Sequence, residues 1–512
     1  MPALMLIAGG MLALWAYFVI KPALFVVILS GIALSIFYAC LRREWRTQLG
    51  WAPALVAVAL PLLAWSLPNV WLLYAAMALV VPVAARRDAQ IAPLYLFALL
   101  LLPGLDTVIV IGTLKLFDCG VHDMLGIGAL ARLALAARRT PVAVRFDLPA
   151  AALITLLVFA IARDTSMTNA LRVAITMLLD CAMPYYILSR AVSGPEDIKR
   201  CMVHLAAAAA ILAVVLLYEV RTSWPVYNGL YNAYGLNLIL LVKQRGGYLR
   251  SGGPFLESTS VAMVMAWCIL AAWLARFAFR TRLSHGVVLG LLLVGLTAPQ
   301  SRGAWIGLLL GTIVADLYRG RIAAIAGRLA GVAALGAVMV ALAPAVPYIA
   351  NMLGKSAETA STVDYRARLL TRGMEEYWKS PLIGYSQPEV LSRLADMRQG
   401  EGIIDFVNTY LFFALVSGAI GVICFIAAFV FYIRGMVRFR GALGRADRSL
   451  AVPAFLVAGL VMPMEMLVFT SFGGRCEVMV FVLFGLAAAQ MPFVQPPYRR
   501  RRASYSAIAQ TA

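Results

Sequence analysis

Apolar stretches recur along almost the whole of this chain, divided by short segments in which the arginines gather, and that alternation limits the fold more than any other feature. Runs of about 20 apolar residues cross a bilayer as helices. The candidates are 2–20, 23–40, 51–66, 69–85, 91–112, 124–137, 147–162, 171–192, 201–220, 259–279, 286–300, 303–318, 329–350, 406–433, 449–470 and 478–494. Only helices and closed barrels satisfy their backbone groups in lipid, and no run alternates like a barrel strand. The pattern predicts an all-α fold, a polytopic membrane helical bundle of about 14–16 spans. With 62% of its 512 residues hydrophobic and 13% charged, the chain is not composed like a soluble domain around one core.

Lys and Arg of short loops stay on the cytoplasmic side. One set of alternate loops carries "LRREWRTQLG", "RRDAQ", "RRTPVAVR", "RTRLSH", "RGRIAAIAGR" and "RGMVRFRGALGRADR", and the tail adds "YRRRR". That set is expected inside, with both termini cytoplasmic and the long segments 221–258 and 351–405 outside. The net charge of +20 then reflects topology and contact with anionic membrane lipids, not a nucleic-acid surface. The first apolar run has no basic start and no small-residue cleavage site, so a retained helix is expected. Seven cysteines without C-x-x-C spacing and three scattered histidines, His122, His204 and His285, suggest no disulfide framework and no metal site. A metal-independent chemistry without cofactors is expected. Paired broken helices of the kind that mark inverted-repeat transporters are not evident. Asp106, Arg132, Asp180 and Glu465 fall inside apolar runs, where pairing with one another or with backbone is expected, or else a proton or substrate path.

The outer segment 351–405 reads as two short helices. In "STVDYRARLLTRGMEEYWK", Ser361 and Asp364 have capping-box spacing, Tyr365, Leu369, Leu370, Met374, Tyr377 and Trp378 form an apolar face, and Arg368, Arg372, Glu375 and Lys379 a charged one. "SP" at 380–381 ends that helix. In "SQPEVLSRLADMRQG", Ser386 and Glu389 form a second capping box, Pro388 suits a first turn and Gly400 a helix end.

Basic residues outside run against the insertion bias and so point to a ligand. "VKQRGGYLRSGGPFLESTS" sets Arg245 and Arg250 among glycines, and "PQSRGAWIGLLLG" sets Arg302 at the outer end of a hairpin, where Gly303, Gly307 and Gly311 permit close helix packing. A guanidinium fork matches phosphate oxygens, so Arg250 and Arg302 are the phosphate candidates and Arg245 assists.

Four segments in order resemble one family. "SRGAWIGLLLG" resembles the serine-arginine-glycine signature of the O-antigen ligase and O-antigen polymerase superfamily, "RSGGPFLES" its earlier arginine-plus-glycine segment, "YRARLLTRGMEEYWKSPLIGYS" the opening of its large periplasmic loop, and "VNTYLFFALVSGAIGV" the loop exit and following span. The resemblance covers about residues 240 to 433. It implies a GT-C-like bundle in the bacterial inner membrane that transfers glycans from undecaprenyl diphosphate at the periplasmic face. There arginines hold the diphosphate, with a flippase and a chain-length regulator as partners. The ligases carry a histidine immediately before the asparagine of the last motif; here Val407 precedes Asn408. Glu401 and Asp405, just upstream, are candidates to take its place, Asn408 is a candidate substrate contact, and Arg366, Arg368 and Arg372 are further ones. The missing histidine favours an exopolysaccharide or O-antigen polymerase over an O-antigen ligase. A lipid-linked oligosaccharide flippase is a further alternative, disfavoured because the unusual basic residues sit at the outer face and not along a central path. The domains expected are 1–220 of membrane spans, 221–433 as the core with the loop 351–405, 434–494 of further spans, and a basic tail over 495–512.

Overall fold

The computed structural model describes residues 2–112, 114–137, 142–236, 244–354, 357–399, 402–442, 450–473 and 475–493. It is an all-α membrane bundle with two small β-hairpins. The first two expected spans, 2–20 and 23–40, are one helix, α1 (Pro2–Cys40), with Pro22 inside it and Lys21 5.7 Å from the Tyr17 ring. The pair Lys21–Pro22 holds too few residues to reverse the chain. Next come α2 (Arg43–Leu49), α3 (Ala52–Ser66), α4 (Val70–Ala84) and α5 (Ile91–Leu101). The run expected to continue as a span to residue 112 instead leaves the helix after Leu101 and forms β1 (Asp106–Ile111) against β2 (Leu114–Gly120). Its β-branched "DTVIVI" suits a strand better than a helix. The strands are antiparallel, Asp106 opposite Gly120 and Ile111 opposite Leu114. Asp106 therefore begins a strand and does not lie within a span.

Helices α6 (Val121–Ala134), α7 (Val144–Ala162), α8 (Met167–Met177), α9 (Met183–Ala191), α10 (Pro195–Thr222) and α11 (Asn228–Ala233) follow. A second antiparallel hairpin, β3 (Gln244–Arg245) and β4 (Tyr248–Leu249), precedes α12 (Ser258–Leu274), α13 (Arg282–Gly295), α14 (Arg302–Arg319), α15 (Ile322–Leu342) and α16 (Pro347–Met352). The segment 351–405 supplies α17 (Ala357–Tyr377) and α18 (Gln387–Arg393), and the chain continues through α19 (Thr409–Ala442), α20 (Ala451–Met466) and α21 (Arg475–Gln490). Among the described residues seven helices are long and apolar enough to cross a membrane, and five shorter ones are apolar.

Contacts divide the chain into two units, each assembled from three stretches. The first comprises Met1–Ala137, Lys199–Trp305 and Ala337–Tyr365. Its centre holds α10 and α12, buried on nearly every side, as helices apolar all round must be. The Tyr74 hydroxyl ties the first hairpin to α4 through the carbonyls of Leu105 at 3.2 Å and Cys119 at 2.6 Å. Arg132 pairs with Asp88 at 3.0 Å and reaches the Ala85 carbonyl, the pairing expected for a charge in an apolar helix.

The second unit comprises Arg138–Ile198, Ile306–Gly336 and Arg366–Ala512. Here Arg190 grips Asp147 with two bonds of 2.7 Å, and the Tyr185 hydroxyl adds a third at 2.6 Å. Gly307 of α14 is pressed against α20: a Cβ there would stand 2.6 Å from Met466 Cγ and 2.9 Å from a Glu465 carboxylate oxygen. Contrary to the pairing expected of it, Glu465 has both carboxylate oxygens buried without a partner among the described residues.

The segment 351–405 is locked into α19 by a turn. Gly418 interrupts α19 with φ 64° and ψ −163°, so the helix cannot satisfy its own peptides there. The turn 380–385, "SPLIGY", supplies the missing groups: the Ala419 amide donates to the Pro381 carbonyl at 2.8 Å, and the Tyr385 amide donates to the Leu415 carbonyl at 2.7 Å. Arg163 of the α7 end adds a bond to the Ile383 carbonyl at 3.2 Å. Backbone that leaves the helix within a membrane protein persists only where protein groups pair it.

Candidate active site

The first unit gathers three candidate arginines on one turn. Gly246 and Gly247, with φ of 57° and 80°, make the two-residue reversal of the second hairpin, a conformation natural to glycine. The hairpin folds Arg245 back on the turn before α14, where its Nη1 donates to the Gln300 carbonyl at 3.1 Å. Arg250, just past the hairpin, donates from Nε to the neighbouring Pro299 carbonyl at 3.3 Å. Arg302 opens α14 two residues on. Its side chain is exposed and makes no hydrogen bond or ion pair with the described residues. Arg245 and Arg250 thus bond the backbone at 299–300, just ahead of Arg302 in the chain, although as much as 57 positions of sequence separate the three residues.

Sequence reasoning missed the residue that sets this loop. Glu219, near the end of α10, is 1% exposed. Its carboxylate accepts from the amides of Val226 at 2.9 Å and Gly253 at 3.1 Å and from the Ser251 hydroxyl, so the segment after Arg250 hangs on it. The Ser251 amide also donates to the Ala298 carbonyl at 3.3 Å. An acidic residue at the end of a long apolar helix was the only signal in the sequence. Glu219→Ala leaves three buried donors without their acceptor, at about 1–3 kcal/mol each. The variant should unfold at lower temperature in detergent. Wild-type melting would mean that the loop holds without Glu219.

The second unit contains the other candidates, and several have structural partners. Arg372 bonds Glu375 at 2.5 Å and Asp396 at 3.1 Å, and these bonds raise its pKa further. Arg393 joins Glu389 at 2.7 Å and Glu376 at 3.3 Å. Lys379 and Arg393 hold the Glu376 carboxyl below its usual range. This network ties α17 to the segment 387–397, so Arg372 is a brace of the loop. Arg366 donates from Nη2 to the Phe469 carbonyl at 3.3 Å, while Arg368 is exposed without a described partner.

Asn408 caps α19, its Oδ1 accepting from the amides of Tyr410 at 3.0 Å and Leu411 at 3.1 Å. That explains an asparagine there without a substrate. Asp405 is half-buried. Glu401 and Gly400 lie outside the described residues.

Two details of the loop differ from expectation. Helix α17 begins by Ala357, so Ser361 and Asp364 are inside it and form no capping box at its start. Ser386 does precede α18, with Pro388 in the first turn, but its side chain caps nothing and Glu389 turns to Arg393 instead. The buried stripe of α17 is Leu369, Gly373 and Glu376, and Leu370 and Trp378, expected to be buried, are 47% and 69% exposed. The paired carboxylate makes room for itself on that stripe. Gly373 rests against Leu411 of α19, where a Cβ would come within 2.9 Å of the leucine.

Compared with known families, residues 285–426 match the O-antigen ligase family, a stretch that runs from α13 through the segment 351–405 into α19, past its break at Gly418. No curated protein sequence matches the chain.

Proposed function

From the match of residues 285–426 to the O-antigen ligase family, we propose a bacterial inner-membrane glycosyltransferase that polymerises undecaprenyl-diphosphate-linked glycan repeat units at the periplasmic face, making an exopolysaccharide or O-antigen. The observation that supports this most is the convergence of Arg245 and Arg250 on the backbone at 299–300, two residues ahead of Arg302, which has no partner among the described residues. Three forks on one turn suit a diphosphate, whose charge they neutralise bidentately.

In the reaction, a hydroxyl of the acceptor glycan attacks C1 of the donor sugar. The bond from C1 to the phosphate oxygen breaks, and the electron pair leaves with undecaprenyl diphosphate. The arginines stabilise the charge that develops on it, typically the largest contribution to such catalysis, so guanidiniums serve in place of a metal ion. The hydroxyl proton passes to a carboxylate, for which Glu401 and Asp405 are the sequence candidates. Segments 221–258 and 351–405 face the periplasm in this reading, with both termini in the cytoplasm, a flippase delivering the donor and a chain-length regulator acting on the product.

A ligase that passes finished chains to an acceptor such as lipid A core is the second reading, favoured by the family description itself. Val407, where the resembling ligases have histidine, speaks for polymerisation, because a ligase would need another base for its acceptor. Lipid-linked glycan extracted from a deletion strain separates the two. A lost polymerase leaves single repeat units on undecaprenyl diphosphate. Long chains stranded on that carrier would mean a ligase.

A further inference from the structure

Gln300 has no task in the transfer reaction as described, yet it occupies the turn that both arginines grip. It is 2% exposed, and neither Oε1 nor Nε2 of its carboxamide meets hydrogen-bond geometry with the described residues. The Tyr348 hydroxyl beside it donates to the Thr297 carbonyl at 2.9 Å and also interacts with the amide. Buried polar groups in folded proteins are nearly always paired. An amide whose donors and acceptor are left largely unused suits a partner that arrives with the substrate. Its backbone adds an independent sign. Gln300 has φ 52°, in the left-handed region that favours glycine. Such strain persists where the surroundings enforce it and gathers at binding sites.

The surroundings match a sugar. The Gln300 carbonyl is bound by Arg245 and the preceding carbonyl by Arg250, so the carboxamide is carried on the same few atoms as the phosphate candidates. Tyr248 of the arginine-bearing hairpin meets Tyr348 edge to face, ring centroids 5.0 Å apart, and both are half-buried. Asn351 closes the other side of the hairpin through Gly246, donating from Nδ2 to its carbonyl at 3.3 Å. An amide with unused donor and acceptor capacity can bridge two neighbouring hydroxyls. Aromatic rings with one wet edge cover the apolar face of a pyranose.

We propose that Gln300 reads the sugar attached directly to the donor's diphosphate. Its carboxamide exchanges hydrogen bonds with hydroxyl or acetamido groups of that sugar, Tyr248 and Tyr348 form the wall beside the ring, and Arg245 and Arg250 hold the adjoining phosphates. The inference rests on the glycosyl-transfer reading and specifies what that site selects.

Gln300→Gly is the informative variant, because glycine accepts φ 52° without strain and removes the orphaned amide. A merely structural side chain would therefore give a variant at least as stable and equally active. The purified full chain is assayed with undecaprenyl-diphosphate-linked repeat unit as donor and with sugar-free undecaprenyl diphosphate as competing inhibitor. Expected are a melting temperature equal to or above wild type, a KM for the glycosylated donor raised by about tenfold or more, as for a lost hydrogen-bonded contact, and an unchanged inhibition constant for undecaprenyl diphosphate. Gln300→Asn, which tolerates the same backbone and keeps a shorter amide, should fall between. A wild-type KM in Gln300→Gly overturns the inference, as does an equal loss of affinity for sugar-free undecaprenyl diphosphate, which would assign the amide to phosphate. Failure of the wild-type protein to use this donor at all is seen before any variant is made, and overturns the transfer reading together with this one.

Discussion

Alanine at Arg302 or at Arg250 is expected to cut glycan extension by about a hundredfold or more, since in the proposed reaction each removes a charged contact to the leaving diphosphate worth roughly 3 kcal/mol. Protein level should not change for Arg302→Ala, because that side chain is exposed and bonds no described residue. Arg250→Ala also loses the bond to the Pro299 carbonyl, so a small fall in melting temperature is expected there. Lysine should restore little at either position, having charge without the planar fork. Polymer length on gels and transfer rates with purified protein read the effect. Normal rates in both alanine variants would return these arginines to the role of head-group anchors.

The second large effect concerns folding. Alanine at Gly418 places a methyl 2.2 Å from the Leu382 carbonyl group and imposes a side chain at φ 64°; alanine at Gly384 places one 2.3 Å from the Leu415 carbonyl oxygen at φ 65°. The strain and the overlap with backbone together cost about 3 kcal/mol or more, because main chain cannot move aside as a side chain does. Both variants should lose most of their monodisperse protein in detergent, and protease should then cut within 380–385. Gly331→Ala, where a Cβ meets nothing within 4 Å, is the matched control and should behave as wild type. Monodisperse, protease-resistant Gly418→Ala would show that the turn and the helix break are not interdependent.

The all-α helical bundle was legible in the sequence because long apolar runs cross a bilayer as helices, but among the described residues seven helices, not 14–16, are long and apolar enough to be spans. The boundary at Lys21–Pro22 misled, since proline near a charged residue reads as a loop while two residues cannot turn the chain. The strand at 106–111 was hidden for a related reason: β-branched apolar residues count toward hydropathy in either conformation. The arginines were visible as types that oppose the insertion bias. What held them was not, because Glu219 meets its partners at 226, 251 and 253 through tertiary packing that no periodicity encodes. The same holds for Asn408, whose motif position resembles that of a substrate residue while its bonds are those of a helix cap. Arg372 differs from Arg368 in having Glu375 and Glu376 three and four residues on, a spacing that suits ion pairs on one helix face, and the approach of Asp396 from a later segment completes its role as a brace.

The lock between the turn 380–385 and the break at Gly418 also bears on how this protein is made. The turn precedes α19 in the chain, so during synthesis it has left the ribosome before the helix that needs it. Until the two meet, the Ala419 amide and the Leu415 carbonyl lack these partners, and a peptide group left unpaired in hydrocarbon costs several kcal/mol. On the proposed topology the pairing would order assembly, because a chain whose segment 351–405 fails to cross the membrane keeps a helix whose break at Gly418 has no partner.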